Sequence, residues 1–165
     1  MKTLVVPLWM ISTALALAVN AQIAVEDLSA VQDKVLTLVM QDFHSKDNIK
    51  NGFKLTSLLE ETELDFSAGK FVHLNFTAKQ TACKRDNWKS DNCKVIKTGR
   101  TFSCFSCFKL EHGSHKVISK FVDCIPERHL IEERNERRRK YCKEVEGKKE
   151  QGLGLPGMVS FSMSN

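Results

Sequence analysis

The residues most able to do chemistry in this chain are its six cysteines: Cys83, Cys93, Cys104, Cys107, Cys124 and Cys142. An even number in a short chain points to disulfides if the compartment is oxidising, and six cysteines allow fifteen pairings. The spacing Cys104-x-x-Cys107 matches a thioredoxin-type redox motif by letters. That chemistry needs the pair to open a helix after a strand, and here it sits inside the aromatic strand pattern Thr101–Leu110. His112 and His115 flank a Gly113-Ser114 turn and read as surface histidines, so no metal ligand set and no cofactor is assigned. Gly152-Leu-Gly154-Leu-Pro-Gly157 has the letters of a dinucleotide loop, but Pro156 interrupts it and no helix signal follows. There is no G-x-S-x-G, H-E-x-x-H or phosphate loop. No catalytic residue emerges, and the chain reads as a non-enzyme.

The oxidising compartment is supplied by the N-terminus. Lys2 is the only charge before Glu26, and an apolar run from Leu4 to Val19 ends in Val19-Asn20-Ala21. A positive start, an apolar core and a small-x-small-like end describe a secretory signal peptide, residues 1–21. Cleavage is expected between Ala21 and Gln22. The run is shorter than the roughly 20 residues of a membrane span and lacks a basic stop-transfer flank. The product is expected to be secreted and extracellular.

The 165 residues are 42% hydrophobic and 27% charged, suited to one globular domain rather than several or a disordered chain. A net charge of +5 is too modest to indicate nucleic acid as a partner. Apolar positions at Leu28, Val31, Val35, Leu38, Val39 and Phe43 predict an amphipathic helix over Val25–Phe43. Asn51-Gly52 and Ser67-Ala68-Gly69 are turn signals around a strand from Phe53 to Phe66. Lys70–Thr81 alternates, with Val72, Leu74 and Phe76 on one face and His73, Asn75 and Thr77 on the other, as a half-buried strand does. Lys84–Gly99 is a polar connection, and Thr101–Leu110 and Val117–Cys124 are two more strands, ended by Pro126. The expected class is α+β: one long N-terminal helix on a four-stranded antiparallel sheet. Glu127–Lys149 is charge-dense and partly helical, and the uncharged Gln151–Asn165 reads as an exposed flexible tail.

This arrangement narrows the disulfides. With the last hairpin centred on Ser114, Cys104 and Cys124 stand opposite each other, ten residues to either side, unless a bulge shifts the register. Residues three apart on a strand face opposite ways, so Cys104 and Cys107 should not bond each other. Cys83 and Cys93 close a short local loop, leaving Cys107 for Cys142. That last bridge would staple the basic segment Arg134–Lys140 to the sheet. The segment could meet heparin-like glycans or anionic membranes. The i,i+4 pairs Glu133–Arg137 and Glu136–Lys140 favour a solvated helix face instead. A second cluster (Lys84, Arg85, Lys89, Lys94, Lys97, Arg100) surrounds Trp88 and suits a bacterial membrane surface, with Phe102, Phe105 and Phe108 expected in the core. Asn75-Phe76-Thr77 is a glycosylation sequon on the polar strand face.

Several runs carry a family resemblance. They are Ala68-Gly69-Lys70-Phe71-Val72, Gln80 through Lys89 with Cys83-Lys84-Arg85-Asp86-Asn87-Trp88, Cys93-Lys94-Val95, Gly99-Arg100, Cys104–Leu110 and the terminal Pro156–Ser162. Together with the helix-and-sheet order, they resemble the chemerin family of the cystatin/cathelicidin group. The resemblance implies a cystatin-like domain over 22–146, a receptor-activating tail over 147–162 and a removable propeptide, 163–165. It implies a secreted, monomeric chemoattractant and adipokine precursor, cut by serine proteases between Ser162 and Met163 and then engaging a chemokine-like G-protein-coupled receptor. The implied receptor-binding residues are Gly154, Leu155, Pro156, Gly157, Met158, Val159, Ser160, Phe161 and Ser162. Gly154, Leu155 and Val159 stand where the family has aromatics, leaving Phe161 as the only aromatic of this segment. The family disulfide pattern agrees with the pairing above. Two other functions compete with this one. A cathelicidin-type host-defence protein would carry a cationic C-terminus, and this one has no charge. A cystatin-type inhibitor would carry a Gln-x-Val-x-Gly hairpin, where this chain has Thr77-Ala-Lys-Gln-Thr81.

Overall fold

The structure is a computed structural model and describes residues 28–149. Its first helix, α1 (Ala30–Ser45), begins at a reciprocal cap. The Ser29 hydroxyl accepts the Gln32 N–H at 3.1 Å, and the Gln32 side chain accepts the Ser29 N–H at 2.8 Å. The expected start at Val25 is therefore corrected, since Leu28 and Ser29 are not helical. Apolar periodicity alone ran past a Ser-x-x-Gln cap that stops the helix. Val35, Leu36, Val39, Met40 and Phe43 form its buried stripe.

Four antiparallel strands follow as a meander in the order β1-β2-β3-β4. They are β1 (Asn51–Phe66), β2 (Gly69–Lys84), β3 (Thr101–Leu110) and β4 (Val117–Pro126). β1 starts before the expected Phe53, β2 runs past Thr81, and β4 runs past Cys124. The extra length of β2 is held by pairing of Asn51 with Lys84 and by a bridge from Thr81 to Val95 in the following connection. The last hairpin has the expected register: Cys104 opposes Cys124 and Cys107 opposes Phe121. A shift occurs only beyond Lys109, too late to disturb the cysteines.

Even-numbered β2 and β3 residues face α1. Val72, Leu74, Phe76, Phe102, Cys104, Phe108 and Leu110 join Phe43, Ile49 and Phe53 in the main core. Phe43, Phe53 and Phe102 meet edge to face, with ring centroids 5.0–5.2 Å apart. β1 changes its inward set through bulges after Leu55 and Leu58. Glu61 and Glu63 then hydrogen-bond Gln32 and Ser29 at the start of α1. Lys70 donates to Glu63 at 2.6 Å. The bonds from Lys70 and Ser29 hold the Glu63 carboxyl below the usual glutamate range.

A second helix, α2 (Glu132–Glu146), covers the opposite sheet face. Val145 and Cys142 pack there with Phe71, Phe105, Cys107 and Phe121. β3 is consequently buried on both faces, which explains its run of phenylalanines and cysteines. At one end of the sheet the two hairpin turns meet. Gly69 has φ +147°, and a Cβ there would lie 2.2 Å from the Leu110 carbonyl oxygen, so only glycine fits. The His112 ring donates from Nε2 to the Phe66 carbonyl at 2.8 Å across the same junction. Among the described residues, no helix is long and apolar enough to cross a membrane.

Candidate functional site: the anchored base of the C-terminal segment

The expected receptor-binding residues Gly154–Ser162 and the processing residues Ala21, Gln22, Ser162 and Met163 lie outside the described residues. What the structure describes is the base from which the C-terminal segment leaves. Three bridges form as expected: Cys83–Cys93, Cys104–Cys124 and Cys107–Cys142, with Cα separations of 5.5, 4.1 and 5.4 Å. Cys107–Cys142 ties α2 to the central strand β3. His73 Nδ1 lies 3.5 Å from Cys107 Sγ, so His73, Cys107 and Cys142 cluster tightly. With both sulfurs in a disulfide there is no thiolate pair to ligate a metal.

The basic segment does not lie wholly in solvent, contrary to the solvated-face expectation. Its Arg134 and Arg138 point at the sheet and converge on Asp123 of β4. Arg138, only 2% exposed, donates to Asp123 Oδ2 at 2.7 Å. It also donates to Ser103 Oγ and to the carbonyls of Ser103 and Asp123, each at 3.0 Å. Arg134 adds a two-pronged contact to Asp123, at 3.0 Å to Oδ2 and 2.5 Å to Oδ1. Burial works against the Asp123 charge, but the bonds and charges of Arg134 and Arg138 prevail and hold its carboxyl below the usual aspartate range. The sequence signal was available: a lone acid within the apolar run Phe121–Ile125, and two arginines four apart on the next helix. Arg137, Arg139 and Lys140 do face outward, and Arg137 pairs with Glu133 at 3.2 Å as expected.

Among the described residues, further contacts hold the end of α2. Val145 is buried against the sheet. The fully buried Lys109 donates to the Glu146 carbonyl at 3.1 Å and sits 3.8 Å over the Phe66 ring. Lys149 approaches Glu111 to 3.8 Å. The chain therefore reaches residue 149 beside the two hairpin turns.

The second basic cluster surrounds the opposite end. Lys84, Lys89, Lys94, Lys97 and Arg100 are exposed, whereas Phe102, Phe105 and Phe108 are buried as expected. Trp88 stacks on the buried His44 at 4.6 Å with an interplanar angle of 7°. His44 donates from Nδ1 to the Met40 carbonyl and accepts the Phe53 N–H at Nε2. Burial, aided by the Arg85 charge, pushes its pKa down against the Met40 bond. Thr77–Thr81 lies within β2, paired to neighbours, so it offers no inhibitory hairpin tip. Asn75 lies on the α2 side of β2, half-buried, donating to Glu60 at 3.3 Å.

No family model matches the chain. Its likeness to solved structures is weak. Dimeric human cystatin F superposes with a TM-score of 0.49 and 17% identity, covering 73% of this chain and 99% of that one. Al-CPI gives 0.42 and 13%, covering 58% and 83%. Neither likeness is close enough to carry an argument. The sequence relatives are closer. Retinoic acid receptor responder protein 2 of Bos taurus is 28% identical over 157 residues, 93% of this chain and 96% of the relative. The protein of the same name from Homo sapiens is 32% identical over 143 residues, 85% of this chain and 86% of the relative. With that identity across most of both chains, and with the helix, the four-stranded sheet and all three disulfides in place, this chain belongs to the retinoic acid receptor responder protein 2 family, the chemerins.

Proposed function

We propose that this protein is a secreted, non-catalytic precursor of a chemoattractant and adipokine. Serine proteases remove Met163-Ser164-Asn165, and the freed end, Gly154–Ser162, enters the pocket of a chemokine-like G-protein-coupled receptor. The observation that carries the reading is an uncharged apolar segment following a firmly anchored helix in a chain of this family. Cys142, Val145 and Glu146 are each tied to the sheet, whereas Gln151–Asn165 contains no charged side chain. Leu155, Val159 and Phe161 supply the apolar surface for burial. Pro156-Gly157 favours a turn that compacts the peptide. A new carboxylate at Ser162 would meet a cationic receptor group that three further residues displace. Ordering the segment costs about 1–2 kcal/mol per residue of backbone entropy, so those few apolar side chains must bury well.

The test is calcium mobilisation in cells bearing the chemokine-like receptor, comparing chains ending at Asn165 and at Ser162. A large gain in potency on truncation is expected. Silence from both forms would refute the agonist role and turn attention to the cationic end around Trp88, with killing of bacteria by a Lys84–Lys116 peptide as its own assay.

A further inference from the structure

A cleft of about 360 Å³ opens between α1, the first half of β1 and the turn that follows β2. This is within the size range of small-molecule sites. Its apolar wall comes from Leu36 and Met40 of α1, Phe53 and Leu55 of β1, and the indole of Trp88. That wall is held in place before any ligand arrives. Leu36, Met40 and Phe53 are buried in the main core. Trp88 is fixed by its stack on His44, and the following turn is closed by Cys83–Cys93. Two lysines, Lys54 and Lys89, also line the cleft. Lys54 Nζ reaches the Asp91 carbonyl at 3.5 Å, and Lys89 Nζ lies 5.3 Å over the Trp88 ring. Among the described residues, the lining holds two cations, Lys54 and Lys89, and one acid, Asp91.

An apolar floor with two amines and one acid in its lining matches a molecule that is apolar along its length and anionic at its head. We propose that this cleft binds a single-chain anionic amphiphile of the fatty-acid class. Its carboxylate is held by Lys54 and Lys89, and its alkyl chain lies along Leu36, Met40 and Leu55 against Trp88. The site is on the opposite end of the fold from the base of the C-terminal segment and does not depend on the receptor reading.

The experiment uses the mature chain secreted from mammalian cells and delipidated, with loss of residues 1–21 verified by mass spectrometry, so that Trp88 is its only tryptophan. Dodecanoate is titrated below its micelle concentration and followed by calorimetry and Trp88 emission. Saturable one-to-one binding with a shift in emission is expected. Lys54→Glu with Lys89→Glu should weaken it at least tenfold, and Thr37→Phe, which fills the cleft from the half-buried face of α1, should abolish it. Dodecyltrimethylammonium, with the same chain and the opposite charge, should bind at least tenfold more weakly than dodecanoate. The proposal is overturned by absence of saturable dodecanoate binding, by equal affinity for the cationic amphiphile, or by full affinity in the lysine variant. If circular dichroism shows Thr37→Phe misfolded, the lysine variant and the cationic amphiphile decide the matter alone.

Discussion

Replacing Arg138 by methionine isolates the polar lock between α2 and the sheet. The methionine keeps an unbranched apolar stem in place of the arginine stem, so packing is changed little. What disappears is a guanidinium that is 2% exposed and makes four hydrogen bonds. Asp123 keeps Arg134, which reduces the cost. Ser103 Oγ and the two carbonyls lose a charged donor in a buried setting. Removing one partner from a buried pair costs about 3–5 kcal/mol, and the surviving Arg134 contact places this case at about 3 kcal/mol. Arg134 itself is 38% exposed on its side chain, so its loss, discounted for solvent screening, should cost about 1 kcal/mol.

Urea unfolding monitored by far-ultraviolet circular dichroism distinguishes the two. At a typical slope of about 2 kcal/mol per molar urea, Arg138→Met should lower the midpoint by roughly 1.5 M and Arg134→Met by roughly 0.5 M, with slopes unchanged. Thermal midpoints should fall in the same order, by about 10 °C or more for Arg138→Met. An Arg138→Met midpoint no lower than that of Arg134→Met would refute the argument. It would mean that the Cys107–Cys142 bridge alone holds α2 and the buried pair adds nothing net.

Three further outcomes are expected. The neutral His44 is favoured by the fold, so its contribution is complete above its unfolded pKa of about 6.5 and is lost as pH falls through the lower folded value. Stability and Trp88 emission should therefore drop together in mildly acidic buffer, and a His44→Gln chain, destabilised at every pH, should lose that pH dependence. Opening the 35-residue Cys107–Cys142 loop with paired serines should cost about 4 kcal/mol by chain entropy, against about 3 for the 10-residue Cys83–Cys93 loop; chemical denaturation giving the reverse order would contradict that account. Phe161→Ala should abolish most receptor signalling by chains ending at Ser162 while leaving circular dichroism unchanged, and undiminished potency would remove Phe161 from its proposed role.

The sheet was legible because its signals are local. Alternation set the faces of β2, and a turn at Gly113-Ser114 set the register that brings Cys104 opposite Cys124. The start of α1 was also written locally, in Ser29-x-x-Gln32, but apolar periodicity is blind to caps. The bulges of β1 left no such mark. They shift the register against β2, and a bulge breaks the period-2 pattern that alternation relies on. The docking of α2 was only half legible. Cys142 announced a bridge, but a helix so rich in charge has almost no apolar stripe, and its inner face is made by arginines whose partner is on another element.

That unusual inner face bears on the proposed function. An apolar α2 interface would hold through non-directional burial and could slide, whereas a guanidinium bonded to Asp123 and Ser103 fixes both the angle and the height of the helix. The bridge to Cys107 fixes its position along the strand. Beyond Val145, among the described residues, Lys109 donates to the Glu146 carbonyl and Lys149 approaches Glu111. The helix is thus anchored up to the residues that precede the charge-free sequence Gln151–Asn165. A receptor ligand of the proposed kind needs such a fixed base. The anchored domain sets where the segment starts. On this reasoning, Arg138→Met should lower receptor potency only at temperatures where α2 has begun to detach. Equal potency loss at all temperatures would instead place Arg138 in direct contact with the receptor.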